Sequence, residues 1–172
     1  MNNRPETNEY DSYYQQYLDM VPEGDLIEIL KHQINDTVEL LKGVTESQSA
    51  FRYAPEKWSL KEVIGHMADT ERIMAYRLLC IARGETAALP GFDENKYVVN
   101  ANFDKQSIND VLENFFAVRQ ATLQLLKSLD RANLDKKGNA NNSEVSGIAI
   151  ACIIAGHELH HLRIIKERYL PF

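Results

Sequence analysis

Apolar residues recur at helical intervals in four stretches of the chain, and these four stripes predict most of its architecture. Leu26, Leu30, Ile34, Thr37, Leu41 and Val44 fall at helical intervals, a repeat that places side chains on one face of a helix. Asp25 and Glu28 stand ahead of them in capping-box spacing, so the pattern predicts a first helix over 25–43. A second capping box, Ser59 with Glu62, opens a helix running to about Arg83, with Trp58 placed to staple against Val63. Ser107 precedes the third helix, whose stripe is Ile108, Val111, Leu112, Phe115, Val118, Thr122, Leu126 and Leu129. The fourth begins at Ser143 or Ser146 and runs to Tyr169.

Four helices around one core predict an all-α fold, a four-helix bundle. The link over 84–107 is long enough to travel the length of such a bundle, so helices two and three are expected to run parallel. The order is then up-down-down-up, with helices two and four antiparallel. Residues 1–24 read as an irregular lead-in whose Tyr10, Tyr13, Tyr14 and Tyr17 pack across the bundle, and 25–172 as the bundle domain. Lys136–Glu144 is polar and reads as a surface loop, and no strand-like region is expected before the fourth helix.

Composition narrows the function classes. With 172 residues, 44% hydrophobic and 26% charged, the chain suits a single domain, one that buries roughly two thirds of its unfolded surface. A net charge of −6 and the lack of any Lys/Arg cluster argue against nucleic acid as a partner. The lead-in lacks the apolar core of a signal peptide, and the apolar run Gly147–Gly156 is too short to span a bilayer. No membrane partner and a cytoplasmic location are therefore expected. Cys80 and Cys152 lie in apolar helical stretches and read as two buried thiols without a disulfide. No Gly-rich phosphate loop, nucleophile elbow or four-cysteine zinc motif occurs.

The chemistry concentrates in histidines. His157 and His161 lie one turn apart on helix four, on the inward seam of Ile150, Ile154 and Ile164. His66 lies near the start of helix two at the edge of its apolar stripe, a groove position facing another helix. Antiparallel packing, at ~1.5 Å per residue, sets all three at similar heights. Desolvating several imidazoles at one seam without a shared partner is costly, which favours one divalent metal ion bound by His66, His157 and His161 with an open vertex.

Three nearby residues are further candidates. His160 also reaches this side and is assigned to the surroundings of the ligands, to a substrate pocket or to packing. Glu71 occupies the Met67/Met74/Leu78 stripe and needs a partner. Arg119 or Arg163 would make it structural; otherwise it hydrogen-bonds a ligating histidine or acts as a general base. Asp69 is the rival acid beside His66, and His32 reads as solvated. The string His157-Glu158-Leu159-His160-His161 also contains the literal HExxH of a metalloprotease, so that reading stays open.

The segments YAPEKWSLKEVIGHMADTER, ARGETAALPGFDEN and AGHELHHLRIIKERY resemble the DinB-like superfamily, in particular its branch of metal-dependent hydrolases, over nearly the whole chain from about Val21. The resemblance places one metal histidine at His66 and two at His157 and His161. It implies an up-down-down-up bundle, frequent homodimers and a divalent ion, commonly zinc or nickel. Some members of that superfamily are thiol S-transferases in which the metal holds a low-molecular-weight thiol, and others carry a hydrolase label. Three functions are thus expected alternatives: a small-molecule hydrolase, an S-transferase using such a thiol, and a non-catalytic dimerising helical module. The 84–107 link, with Phe92, Asp93 and Asn95, borders the pocket or simply packs on the surface.

Overall fold

The computed structural model describes residues 4–170. After a helical turn at Ser12–Tyr14 the chain forms α1 (Gln15–Leu18), α2 (Leu26–Leu41), a single turn α3 (Glu46–Ser49), α4 (Leu60–Ala82), α5 (Glu94–Ala101) and α6 (Ile108–Lys127). A turn α7 (Arg131–Leu134) and a hairpin of β1 (Lys137–Ala140) and β2 (Ser143–Ser146) lead into α8 (Gly147–Ile164), which continues as a π-helical turn over Ile165–Tyr169. The bundle helices start where the capping residues stand. Asp25 accepts the amides of Ile27 and Glu28, Ser59 and Glu62 form a full capping box, and Ser107 accepts the amide of Asp110. Of the two candidate starts of the last helix, Ser146 is the cap, and Ser143 lies in a strand.

The expected up-down-down-up bundle is present. Lys61 at the start of α4 donates to the Gln106 carbonyl just before α6, and Lys136 reaches the Ala82 carbonyl at the end of α4. Because like ends meet, α4 and α6 run parallel. Gln33 and Thr37 of α2 meet Ala155 and Glu158 of α8 in the same order, so these two are parallel as well. α4 packs between α6 and α8, and α2 fills the opposite corner against the same two helices. α8 is apolar all round because it lies in the core, with Gly147 to Gly156 buried without a break. Its length and apolarity would suit a membrane span by composition alone, but most of it is buried inside the bundle.

Three segments outside the bundle depart from a plain loop. The lead-in buries Tyr10, Tyr17 and Leu18, and the Tyr17 backbone lies directly on α8. Within the 84–107 link, Asp93 caps α5, and Phe103 plugs into α4 at Gly65. The stretch read as a surface loop holds instead the β1/β2 hairpin, with Ala140 paired to Ser143 around an Asn141–Asn142 turn. Both asparagines adopt positive φ, 53° and 62°, which suits the right-handed twist of a two-residue hairpin and which asparagine tolerates well. Strands of four residues with little apolar alternation carry too weak a pattern to be read from the sequence. Leu89 bridges onto Ala140, tying the link to the hairpin.

Candidate metal centre

Each of the two contributing helices places a glycine immediately before its first histidine. At Gly65 a Cβ would stand 2.4 Å from the Phe103 ring, and at Gly156 it would stand 2.2 Å from the Tyr17 carbonyl oxygen. Another segment can therefore press against the helix one residue from the imidazole and hold it in place. His66 follows Gly65 early in α4, and His157 follows Gly156 in the second half of α8. Antiparallel packing brings the two to one level.

The three predicted ligands converge. His157 Nε2 lies 3.2 Å from His66 Nε2 and 3.1 Å from His161 Nε2, and one nitrogen from each of the three rings falls within 4.8 Å of the others. A neutral imidazole nitrogen carries either one proton or one lone pair, so His157 Nε2 cannot make linear hydrogen bonds to both neighbours. Two nitrogens each ~2.1 Å from one ion at a tetrahedral angle would stand about 3.4 Å apart, close to the spacing observed. The donor set thus fits a single cation better than a hydrogen-bonded cluster.

The surroundings keep these nitrogens available. His66 is 4% exposed, and burial pushes its pKa down to about 4. His157 and His161 are likewise held well below the ordinary histidine value, first by burial and then by the neighbouring rings. Neutral imidazole is the form that ligates a metal. His66 is oriented from two sides, with the Trp58 ring 4.7 Å from its own and the Thr70 hydroxyl 3.4 Å from Nδ1. Trp58 is in turn fixed by the Tyr169 hydroxyl, which donates to its carbonyl at 2.6 Å from the π-helical end of the last helix. Tyr17 stands edge-on to His157 and His160, at centroid distances of 5.7 and 5.2 Å.

Of the flanking acids, Glu71 is paired with Arg119, one of the two arginines expected for it. Arg119, fully buried, binds it in a two-pronged fork with both contacts at 2.8 Å, and also donates to the Leu30 carbonyl at 2.9 Å. The same guanidinium pairs with Glu158 at 2.8 Å, while the Thr37 hydroxyl donates to the other Glu158 oxygen at 2.6 Å. This buried Glu71–Arg119–Glu158 triad joins α4, α6 and α8, and through Leu30 and Thr37 it reaches α2. Burial pushes the Glu158 carboxyl up, with Arg119 and Thr37 pulling the other way. The side chain of Glu158, the glutamate of the HExxH string, is thus paired with Arg119 and Thr37, and a hairpin not expected from the sequence precedes the helix.

The remaining candidates separate by location. Asp69 pairs with Arg72 at 3.5 Å, and it is Thr70, not Asp69, that faces His66 Nδ1. His160 is partly exposed, stacked edge-on to His161 at 5.1 Å, with no ion pair among the described residues. His32 is exposed, as read from the helix pattern. Cys80 and Cys152 form no disulfide, and of the two thiols expected to be buried Cys80 is only partly so; burial pushes the Cys152 thiol up to about 12, so it stays protonated. Glu158 as an Arg119 partner was not singled out from the sequence, although its place one turn before the His161–Leu162 pair on an apolar helix carried the same signal as Glu71: a carboxylate where burial is costly.

Comparison with known proteins agrees with this architecture. The pattern of the DinB superfamily matches residues 29–165, and the chain belongs to that superfamily. A relative from Oceanobacillus iheyensis, named "Putative metal-dependent hydrolase OB0413", is 26% identical over 143 residues, covering 81% of this chain and 79% of its own. Among solved structures, YfiT from Bacillus subtilis, described as "a probable metal-dependent hydrolase with an unusual four-helix bundle topology", superposes with a TM-score of 0.71 at 17% identity. That match covers 95% of this chain and 90% of the other, and it shows a shared fold.

Proposed function

We propose that the protein is a metal-dependent enzyme that hydrolyses a small molecule, with His66, His157 and His161 as the ligands of one divalent ion. The observation that carries this reading is the meeting of three imidazole nitrogens within 4.8 Å, contributed by two antiparallel helices. The names of the Oceanobacillus and Bacillus proteins support it. An all-imidazole set suits zinc or nickel. A divalent ion held there supplies Lewis acidity toward a substrate oxygen or a water molecule.

The chain contributes the rest. Three neutral ligands would add no negative charge to an ion held by His66, His157 and His161, and three protein nitrogens would leave room for substrate beside it. Trp58, Thr70 and Tyr17 hold the rings in register, which keeps the ligand geometry independent of substrate. His160 is the side chain placed to carry a proton, because Glu71 and Glu158 are both spent on Arg119 and Asp69 on Arg72.

Elemental analysis of the purified protein, run beside ester, amide and thiol-plus-electrophile assays, tests the reading. Near-stoichiometric zinc or nickel with metal-dependent ester or amide cleavage supports it. Transfer of the thiol in place of hydrolysis moves the same centre to the S-transferase class, and metal without turnover on any substrate leaves a binding module.

A further inference from the structure

The three segments that decorate the bundle converge around a cavity of about 340 Å³ that the metal centre does not use. Arg77 of α4 forms part of its lining, Tyr13 and Tyr14 of the lead-in another part, and Phe92 and Glu94 of the 84–107 link a third, with the hairpin turn contributing Asn141. Pockets that hold small molecules begin at roughly this size. Tyr13 connects the cavity to the metal centre, since its ring lies 6.0 Å from that of Tyr17, which stands 5.7 Å from His157. The cavity thus lies two ring contacts from His157.

Arg77 is the unusual group in this lining. It is 4% exposed, yet among the described residues no carboxylate pairs with it. Its guanidinium donates to the Pro90 carbonyl at 2.7 Å and touches the Met74 sulfur at 3.7 Å, and it lies 5.9 Å from the centre of the Phe92 ring. A buried cation met only by neutral groups is costly, in contrast to Arg119, whose charge is matched by two carboxylates. The two acids of the lining do not match it. Asp11 is occupied by the Tyr13 amide and the Ser143 hydroxyl, and Glu94 sits exposed in the first turn of α5. With Asp11 and Glu94 both in the lining, a ligand that brings one negative charge to Arg77 meets less repulsion than a phosphate with two.

We propose that this cavity is a substrate subsite in which Arg77 binds the carboxylate of a small organic acid, positioning the remainder of the molecule toward His66, His157 and His161. The inference rests on the reading of those histidines as the centre of a small-molecule enzyme and adds the chemical class of its substrate. A carboxylate offers a planar pair of oxygens that matches a guanidinium with one charge.

The test is a calorimetric and NMR titration with N-acetylglycine, its amide N-acetylglycinamide, and inorganic phosphate, on metal-loaded wild type and Arg77→Met and on His157→Ala as purified. N-acetylglycine is expected to bind at least about tenfold more tightly than the amide or phosphate, a difference that Arg77→Met abolishes and His157→Ala leaves in place. In the wild type the arginine Nε–H resonance of Arg77 is expected to shift on titration, a readout that holds even if the Met variant does not fold. Equal binding of the amide, preferred binding of phosphate, no binding of the acid, or an unmoved Arg77 resonance each overturns the proposal. So does binding lost in His157→Ala but kept in Arg77→Met, which would put the carboxylate on the ion. Metal content is measured on the same samples, so a failure of the subsite is distinguishable from a failure of the metal centre.

Discussion

Replacing Arg119 by methionine removes the cation on which three bundle helices converge. Glu71 and Glu158, both buried, then face each other without a counter-charge, and the Leu30 carbonyl loses its donor. Removing one partner of a buried ion pair costs ~3–5 kcal/mol, and stranding two carboxylates places this site at the upper end. A domain of this kind has about 5–15 kcal/mol to lose, so a third or more of its stability would go. With a urea slope of roughly 2 kcal/mol per molar, the midpoint is expected to fall by ~2 M. Urea unfolding followed by circular dichroism measures this directly. The sign with pH is equally defined. Unpaired buried carboxylates have folded-state pKa values above their unfolded ones, so the variant gains relative stability as pH falls through the carboxylate range, and its deficit is larger at neutral pH than near pH 5. Replacing Glu71, Arg119 and Glu158 together by apolar residues of similar volume is expected to recover most of the loss. A midpoint shift worth less than about 1 kcal/mol, or a deficit that grows in acid, would refute the view of the triad as a matched buried charge set.

Several other outcomes are equally checkable. His157→Ala and His161→Ala should each cut bound metal sharply in elemental analysis while leaving the helical circular dichroism signal largely intact; unchanged metal would reject the ligand assignment. Metal-free protein should lose stability as pH falls from about 6.5 toward 4, because unfolded histidines take up protons that buried His66 refuses until about pH 4; His66 alone contributes ~3 kcal/mol over that window. A melting temperature independent of pH there would contradict the neutral burial of this ring. Gly156→Ala should destabilise by ~1–3 kcal/mol, the reverse of the gain usual inside a helix, since the new methyl meets the Tyr17 backbone. Faster proteolysis of the lead-in in that variant would locate the damage, and a stabilised variant would show that the close approach at Gly156 is not required. Chelator should lower the melting temperature of metal-loaded protein, by an amount that rises with metal affinity.

The local content of the sequence determined the four bundle helices, their caps at Asp25, Ser59 and Ser107, and the seam that turns His157 and His161 inward. Periodicity and capping act over one or two turns, so they can be read from neighbouring residues alone. The parallel run of α4 and α6 was also legible, because the length of the 84–107 link is itself a sequence property. Tertiary structure alone decided which partner each buried charge found. Two arginines were open to Glu71 by pattern, and only packing placed Arg119 between Glu71 and Glu158 and left Arg77 without a carboxylate. It also turned a polar loop into the β1/β2 hairpin and drew the lead-in onto α8. The ion pairs of Arg119 join residues 48 and 39 positions apart, the lead-in meets α8 across 139, and no spacing along the chain encodes a distance that exists only once the helices have chosen their neighbours.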